Sequence, residues 1–397
     1  MELKIDAARW RSKRGMGRLL DALGAAEGLT RYVGGSVRDE LLHLPKSDVD
    51  LATRLKPDEV VRRLEAAKIR AIPTGIDHGT VTAVSSNSTY EVTTLRRDVE
   101  TDGRRATVLF TDDWREDAAR RDFTINALSA DPVTGEVFDY FGGKDDLLEH
   151  RVRFIGDPLA RIAEDHLRIL RFFRFHARFG IGAPAPEGLA ACARRANDLM
   201  ALSRERIADE LLKLLAVEDP SPTVAVMLDH RILVPVLPEI AKESLKSLEA
   251  LVASEKDAEI DADALRRLAA LLPSDPATAE RIAVRLKLSN KARKRLACAV
   301  GSIGSSNAQT LAYYCGTECA VDRLLLAGAT AAAADIREWP VPKLPLGGGQ
   351  LIERGVQRGP EVAKTLQRIE RRWVDDGFPD GEAMEAIIRE ELSDRAT

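Results

Sequence analysis

The chain has 397 residues, 45% apolar and 31% charged, with 59 Lys and Arg against 63 Asp and Glu and a formal charge of -4. That length implies two or more domains and a sizeable core, and the composition excludes wholesale disorder. The mild acidity excludes a protein that coats nucleic acid over its whole surface but leaves room for a local basic site.

Such a site has a place: residues 151–215 carry 12 Lys and Arg against 8 Asp and Glu, between two acidic flanks. No apolar run reaches the ~18 residues of a membrane span, and Met1 to Gly24 lacks the apolar core of a secretory signal. A cytoplasmic protein with no membrane partner and no disulfide-linked partner is expected. The four cysteines are too few for a disulfide framework. Cys315 and Cys319 lack both the spacing and a following His for a structural zinc motif, so they read as small buried hydrophobes.

In chain order, residues 18–27 read as a helix and Thr30 to Val33 as a short strand ending in Gly34-Gly35. A helix from Ser36 to Leu44 leads through Pro45 to an alternating strand, Asp48 to Thr53. Pro57 opens another helix with Val60, Val61 and Leu64 as its apolar positions. Thr80 to Val84 and Tyr90 to Leu95 form a hairpin around Ser85-Ser86-Asn87-Ser88. Arg96 to Arg105 is polar, mixed in charge and poor in apolar residues, the composition of a mobile loop. Phe123 to Ser129 and Val137 to Tyr140 complete an α/β unit. After Gly156-Asp157-Pro158 helical patterns run to the end, punctuated by prolines. The first long one spans Arg161 to Arg178, with Arg161, Glu164, Asp165, Arg168, Arg171, Arg174 and Arg178 on one charged side and Ile162, Ile169, Leu170, Phe173 and Ala177 opposite.

Asp48 and Asp50 are the sharpest local feature. Two residues apart on a strand, they face one side with Cα atoms ~6.6 Å apart. Carboxylates so placed can share hard divalent cations, and a pair of such ions can activate an attacking hydroxyl and neutralise a leaving pyrophosphate. D-x-D alone also suits a plain solvated strand. Upstream, Gly34-Gly35 closes a strand before a helix, where backbone N–H groups can approach phosphate; an ordinary turn is the alternative. Together, Val33-Gly34-Gly35-Ser36-Val37-Arg38-Asp39 followed by Asp48-Val49-Asp50 is far more specific than either part.

With these motifs the sequence resembles the class II tRNA nucleotidyltransferases, the CCA-adding enzymes and related bacterial poly(A) polymerases of the polymerase β superfamily. The resemblance continues through Tyr90-Glu91-Val92-Thr93-Thr94, Arg120-Arg121-Asp122-Phe123-Thr124-Ile125-Asn126-Ala127 and Asp139-Tyr140-Phe141-Gly142-Gly143. It ends with Glu164-Asp165-His166-Leu167-Arg168 and Glu205-Arg206-Ile207-Ala208-Asp209-Glu210, the motifs standing in family order over about the first 215 residues. The implied fold class is α/β plus all-α. A nucleotidyltransferase head with a mixed sheet (1–150) precedes a nucleotide-selecting helical neck (151–215) and an elongated, tRNA-binding helical body and tail (216–397).

The resemblance implies addition of CMP, CMP and AMP from CTP and ATP to a tRNA 3′ end at the acceptor stem, with two Mg²⁺ ions as cofactors and no nucleic-acid template. It makes Asp48 and Asp50 the metal-binding catalytic residues and Glu91 a third carboxylate that joins the metal site or takes the hydroxyl proton. Gly34, Gly35, Arg38, Arg120, Arg121, Asp122 and Asn126 fall in nucleotide-holding motifs, with Asp122 on the ribose 2′-hydroxyl. Asp165 and Arg168 act as a protein template for the base, while Arg171 and Arg174 reach phosphates. Glu205, Arg206 and Glu210 read as an ion-pair brace, and Asp139 with Gly142-Gly143 as a hinge-like link. In CCA-adding relatives a flexible loop after the position of Leu95 helps convert the pocket from CTP to ATP; here it is short and lacks aromatic residues near its tip. Poly(A) polymerase and CC-only activity are the near alternatives, a small-molecule nucleotidyltransferase or a non-catalytic RNA-binding protein the distant ones. Pro73 to Thr80 sides with the CCA-adding version.

Overall fold

Alternation along two adjacent strands builds the centre of the sheet. In β4 (Thr80–Ser85) Val81 and Ala83 are buried, and in β5 (Ser88–Thr94) Tyr90 and Val92 are buried, so Thr82 and its partner Glu91 face the other way. β3 (Arg70–Gly75) pairs outside β4, while β1 (Thr30–Val33), β2 (Leu51–Thr53), β8 (Ser129–Ala130) and β9 (Val137–Phe138) complete seven strands in the order β3-β4-β5-β2-β1-β8-β9. β2 runs parallel to β5, with Leu51 beside Val92, and the other pairings are antiparallel. The structure, a computed structural model, describes residues 4–44, 48–102 and 105–393. It holds two compact units: residues to Leu214 with Val226–Val236, and Leu215–Ala225 with Leu237 onward. The second is helical throughout its described residues, and no described helix is long and apolar enough to cross a membrane.

In the first unit the helix Arg168–Phe179 buries Ile169, Leu170, Phe172, Phe173, Phe175 and Phe179. Phe172 and Phe175 stack around Phe123 at ring separations of 6.2 and 5.2 Å, and Phe154 joins both Phe123 (5.0 Å) and Phe172 (5.4 Å). This aromatic knot fastens the helix to the segment that carries Asp122.

Four expectations change. The helix expected over Arg161–Arg178 is two helices, Pro158–Glu164 and Arg168–Phe179, because Asp165 adopts an extended conformation (φ -150°, ψ 106°). Its carboxylate accepts the Leu167 N–H (3.1 Å) and its carbonyl the Arg168 N–H (3.0 Å), so it caps the second helix. The strand expected from Asp48 begins at Leu51; the Pro45 that was to introduce it lies outside the described residues. The loop after Leu95 forms a two-stranded hairpin, β6 (Arg96–Asp102) and β7 (Arg105–Phe110), with Gly103 and Arg104 outside the description. Finally, Cys298 and Cys319 are joined by a disulfide, with Cα atoms 6.2 Å apart. In the sequence Cys315 and Cys319 read as small buried hydrophobes; the partner of Cys319 arrives from another helix.

Candidate active site

Gly34 turns β1 into the helix Gly35–Leu41 at φ +71°, ψ -135°, a conformation suited to glycine. A Cβ there would stand 2.6 Å from Arg121 Nη1. The Gly34 N–H is itself donated to Leu128 O at 2.9 Å, so an amide free for a phosphate must come from Gly35 onward.

Val49 is buried, with exposed Asp48 and half-buried Asp50 on either side of it, so both carboxylates lie on the open side. Burial, then the charges of Glu91 and Asp48, push the Asp50 carboxyl above its ordinary value, with Arg121 opposing. Among the described residues only Cys298, Cys315 and Cys319 bring three ligand atoms within 4.8 Å of one another, while the charge of Glu91 raises the Asp50 carboxyl more than that of Asp48 does.

A cavity of about 430 Å³ is lined by Gly35, Arg38, Arg121, Asp122, Asn126, Asp165, Arg168, Arg171 and Phe175. Eight of these nine were expected from the sequence; Phe175, on the buried face of its helix, was not. Gly34, Asp48, Asp50, Glu91, Arg120 and Arg174 do not line it.

The lining is tightly bonded. Asp122 accepts from Arg171 Nε (2.8 Å), from Asn126 Nδ2 (2.9 Å) and from the Phe123 N–H (2.8 Å). Burial alone would raise its carboxyl, but Arg171 and these hydrogen bonds hold it below the ordinary range. Arg171 is held above its usual value by Asp122 and Glu210 despite burial. Arg38, buried, donates to Asn126 Oδ1 and to Asp39 (2.8 Å) and lies 4.2 Å over the Phe179 ring. It therefore braces the floor through Asn126.

The side chains of Asp165 and Arg168 bond other partners. Asp165 accepts from Arg206 Nη2 (2.7 Å), while Arg168 donates to Glu164, to Arg161 O (2.8 Å) and to Arg120 O (3.3 Å). Glu210 holds Arg174 and also pairs with Arg171 at 3.5 Å. The expected ion-pair brace thus reaches neighbouring segments, Arg206 to Asp165 and Glu210 to Arg171 and Arg174.

Two contributors escaped the sequence reading. Asp117 accepts from Arg120 Nε (2.9 Å) and the Arg96 N–H (3.3 Å), and lies 3.5 Å from Arg121 Nη2. Its i,i+3 and i,i+4 spacing to two arginines was the available signal. Arg161 donates to the carbonyls of both Arg120 (2.6 Å) and Arg121, and no side-chain pattern announces a backbone partner.

A mixed sheet with a Gly-Gly turn, paired carboxylates and an arginine-lined cavity defines a nucleotidyltransferase head carried on a helical protein. Residues 30–153 match the family described as Poly A polymerase head domain, and residues 183–244 match a probable RNA and SrmB-binding site of polymerase A. The mitochondrial CCA tRNA nucleotidyltransferase 1 of Mus musculus is 34% identical over 373 residues, covering 88% of this chain and 83% of that protein. The CCA-adding enzyme of Streptococcus gordonii is 33% identical over 390 residues, 94% of this chain and 96% of that one. In fold, the chain resembles the Bacillus stearothermophilus CCA-adding enzyme solved with CTP (TM-score 0.72, 24% identity, 97% and 99% of the two chains). The chain belongs to the CCA-adding tRNA nucleotidyltransferase family.

Proposed function

We propose that this enzyme adds CMP, CMP and AMP to the 3′ end of tRNA from CTP and ATP, releasing pyrophosphate. The observation that carries the proposal is the arginine-lined cavity in which Asp165 and Arg168 meet Arg121, Asp122 and Arg171. A base can offer its Watson–Crick edge to the first pair while the arginines take the phosphates; bidentate guanidinium geometry suits both tasks. Relatives named for CCA addition, and related structures solved with CTP, ATP and tRNA, support the substrates.

In the reaction, the tRNA 3′-hydroxyl oxygen bonds to the α-phosphorus as the bond to the bridging oxygen breaks and pyrophosphate leaves. Asp48 and Asp50 fit a hard divalent cation: they are oxygen donors, and burial together with the neighbouring carboxylates Glu91 and Asp48 raises the Asp50 carboxyl, a cost that a cation would offset. Mg²⁺ held there, two ions in the proposed mechanism, supplies Lewis-acid activation of the hydroxyl and charge neutralisation at the pyrophosphate. Glu91, exposed on β5, is assigned to the hydroxyl proton. Asp122 reaches a ribose hydroxyl by exchanging Arg171, which then turns to phosphate. Asp165 and Arg168 exchange Arg206 and Glu164 for the base in the same way.

The test is incubation with a tRNA lacking its terminal nucleotides and each labelled triphosphate. Two C and one A are expected, then arrest. Unlimited A addition without use of CTP identifies a poly(A) polymerase, and arrest after two C a CC-only enzyme. Arg168→Ala is expected to blur C-versus-A choice and lower kcat/KM roughly ten- to a hundredfold, about 1.4–3 kcal/mol of base discrimination. An unchanged preference sinks the protein-template assignment.

A further inference from the structure

Three of the chain's four cysteines gather at one point of the second unit, Cys298 joining Cys315 and Cys319 from another helix. Cys298 lies next to the end of the helix Asn290–Ala299, Cys315 ends the helix Ala308–Cys315, and Cys319 sits in the first turn of Thr317–Leu326. Their Sγ atoms all lie within 4.8 Å of one another. Gly316, at φ +82°, makes the reversal that sets Cys315 beside Cys319.

We propose that Cys298, Cys315 and Cys319, with the Cys298–Cys319 disulfide reduced, form a three-thiolate site for a thiophilic divalent cation of the zinc class. Zinc–sulfur bonds of about 2.3 Å with tetrahedral angles put ligand sulfurs about 3.8 Å apart, a spacing the cluster meets with small movements once the S–S bond is broken.

The scaffold does not need that bond to keep the sulfurs together. Arg295, on the helix of Cys298, donates from Nε and Nη2 to the two oxygens of Asp322, on the helix of Cys319, at 2.7 and 2.9 Å. Arg323 Nε donates to the Cys298 carbonyl at 2.6 Å. These bonds tie the two helices next to the cysteines, so reduction leaves the ligands in place.

The place of Cys319 on its helix also suits the thiolate form: it lies in the N-terminal turn, where partial positive charge favours an anion. Three thiolates and one divalent cation sum to a single negative charge beside the Arg323 guanidinium. Cys315 is only half-buried, which gives an ion a way in and leaves its fourth position to water. Glu318 and Asp322 are already committed to Arg295.

The chemistry balances with a dithiol as reductant: it delivers two electrons and two protons to the disulfide and becomes oxidised, and metal binding then releases the three thiol protons to solvent.

The full-length protein, reduced and stripped of metal under anaerobic conditions, is titrated with Co²⁺ and then Zn²⁺. One equivalent of Co²⁺ is expected to give the sulfur-to-cobalt charge-transfer band, which Zn²⁺ abolishes; carboxylate-bound cobalt gives no such band. Cys315→Ser retains both disulfide partners, so under oxidising conditions its mass and melting temperature report an intact fold. Its reduced form is expected to bind Co²⁺ at least about a hundredfold more weakly, since even outer-shell losses cost about 10–100-fold. No charge-transfer band in the reduced parent, or a band of full affinity in Cys315→Ser, overturns the site and leaves a plain disulfide.

Discussion

Asp117 joins three parts of the site, accepting from Arg120 and the Arg96 N–H and pairing with Arg121. It is almost fully buried, and burial would raise its carboxyl; Arg120, Arg121 and the Arg96 N–H reverse the shift and hold it ionised. Arg96 is the first residue of β6, so the same carboxylate touches the root of the hairpin and the pair Arg120–Arg121. Asp117→Asn keeps the shape but leaves two neighbouring guanidinium groups without their counterion. Losing one partner of a buried, charged hydrogen bond costs about 1–3 kcal/mol, so KM for CTP and ATP is expected to rise roughly ten- to a hundredfold. The kcat is expected to fall far less, because Asp48 and Asp50 are untouched. Asp117→Glu is expected to recover part of the loss. A purely structural residue behaves differently, lowering the melting temperature while KM stays fixed; steady-state kinetics beside a thermal melt separate the two.

At the scale of the element, the strand-to-helix turn at Gly34 does double duty, bending the chain and leaving room for Arg121. Gly34→Ala meets an unfavourable backbone region and a Cβ placed 2.6 Å from Arg121 Nη1. A cost of about 1–3 kcal/mol in stability follows from the backbone alone, read by denaturant unfolding. Displacement of Arg121 is expected to weaken triphosphate binding beyond that. Loss of stability without loss of nucleotide affinity shows that Arg121 has relaxed elsewhere.

The same turn illustrates how much was legible beforehand. Gly34-Gly35, the flanking Asp48 and Asp50, and the order of the later motifs are local patterns, and the mixed head sheet with its helical continuation followed from them. What escaped depends on contacts between segments. The break at Asp165 is invisible to periodicity, because charged and apolar residues keep helical spacing across it; a carboxylate capping the next helix decides the matter. The hairpin after Leu95 was hidden by polar composition, since its strands pair only with each other and need no apolar face toward the main sheet. Phe175, which the sequence reading did not single out, is core on one side and cavity wall on the other.

For the molecule as a whole, the formal charge of -4 is a poor guide to its dealings with RNA, because the charges are divided by task. Acidic residues of the head include Asp48 and Asp50, proposed to hold Mg²⁺, which would offset their charge. The positive excess lies in residues 151–215, yet much of it is already spent: Arg161, Arg168, Arg171, Arg174 and Arg206 are each paired with a carboxylate. Few cations therefore remain to hold phosphates at long range. Affinity for tRNA is expected to be modest and to fall with salt, log Kd rising linearly with log salt and each phosphate contact adding about 0.7–0.9 to the slope. Arg174→Ala sharpens the test. If Arg174 leaves Glu210 to meet a phosphate, the slope drops by about one contact; if it stays on Glu210, the slope is unchanged and the loss appears in stability instead. Equilibrium binding of a tRNA lacking its terminal nucleotides, measured across a salt series without nucleotide, distinguishes the two. A steep slope in the parent protein contradicts the pairing argument, because it requires more free cations than these ion pairs leave.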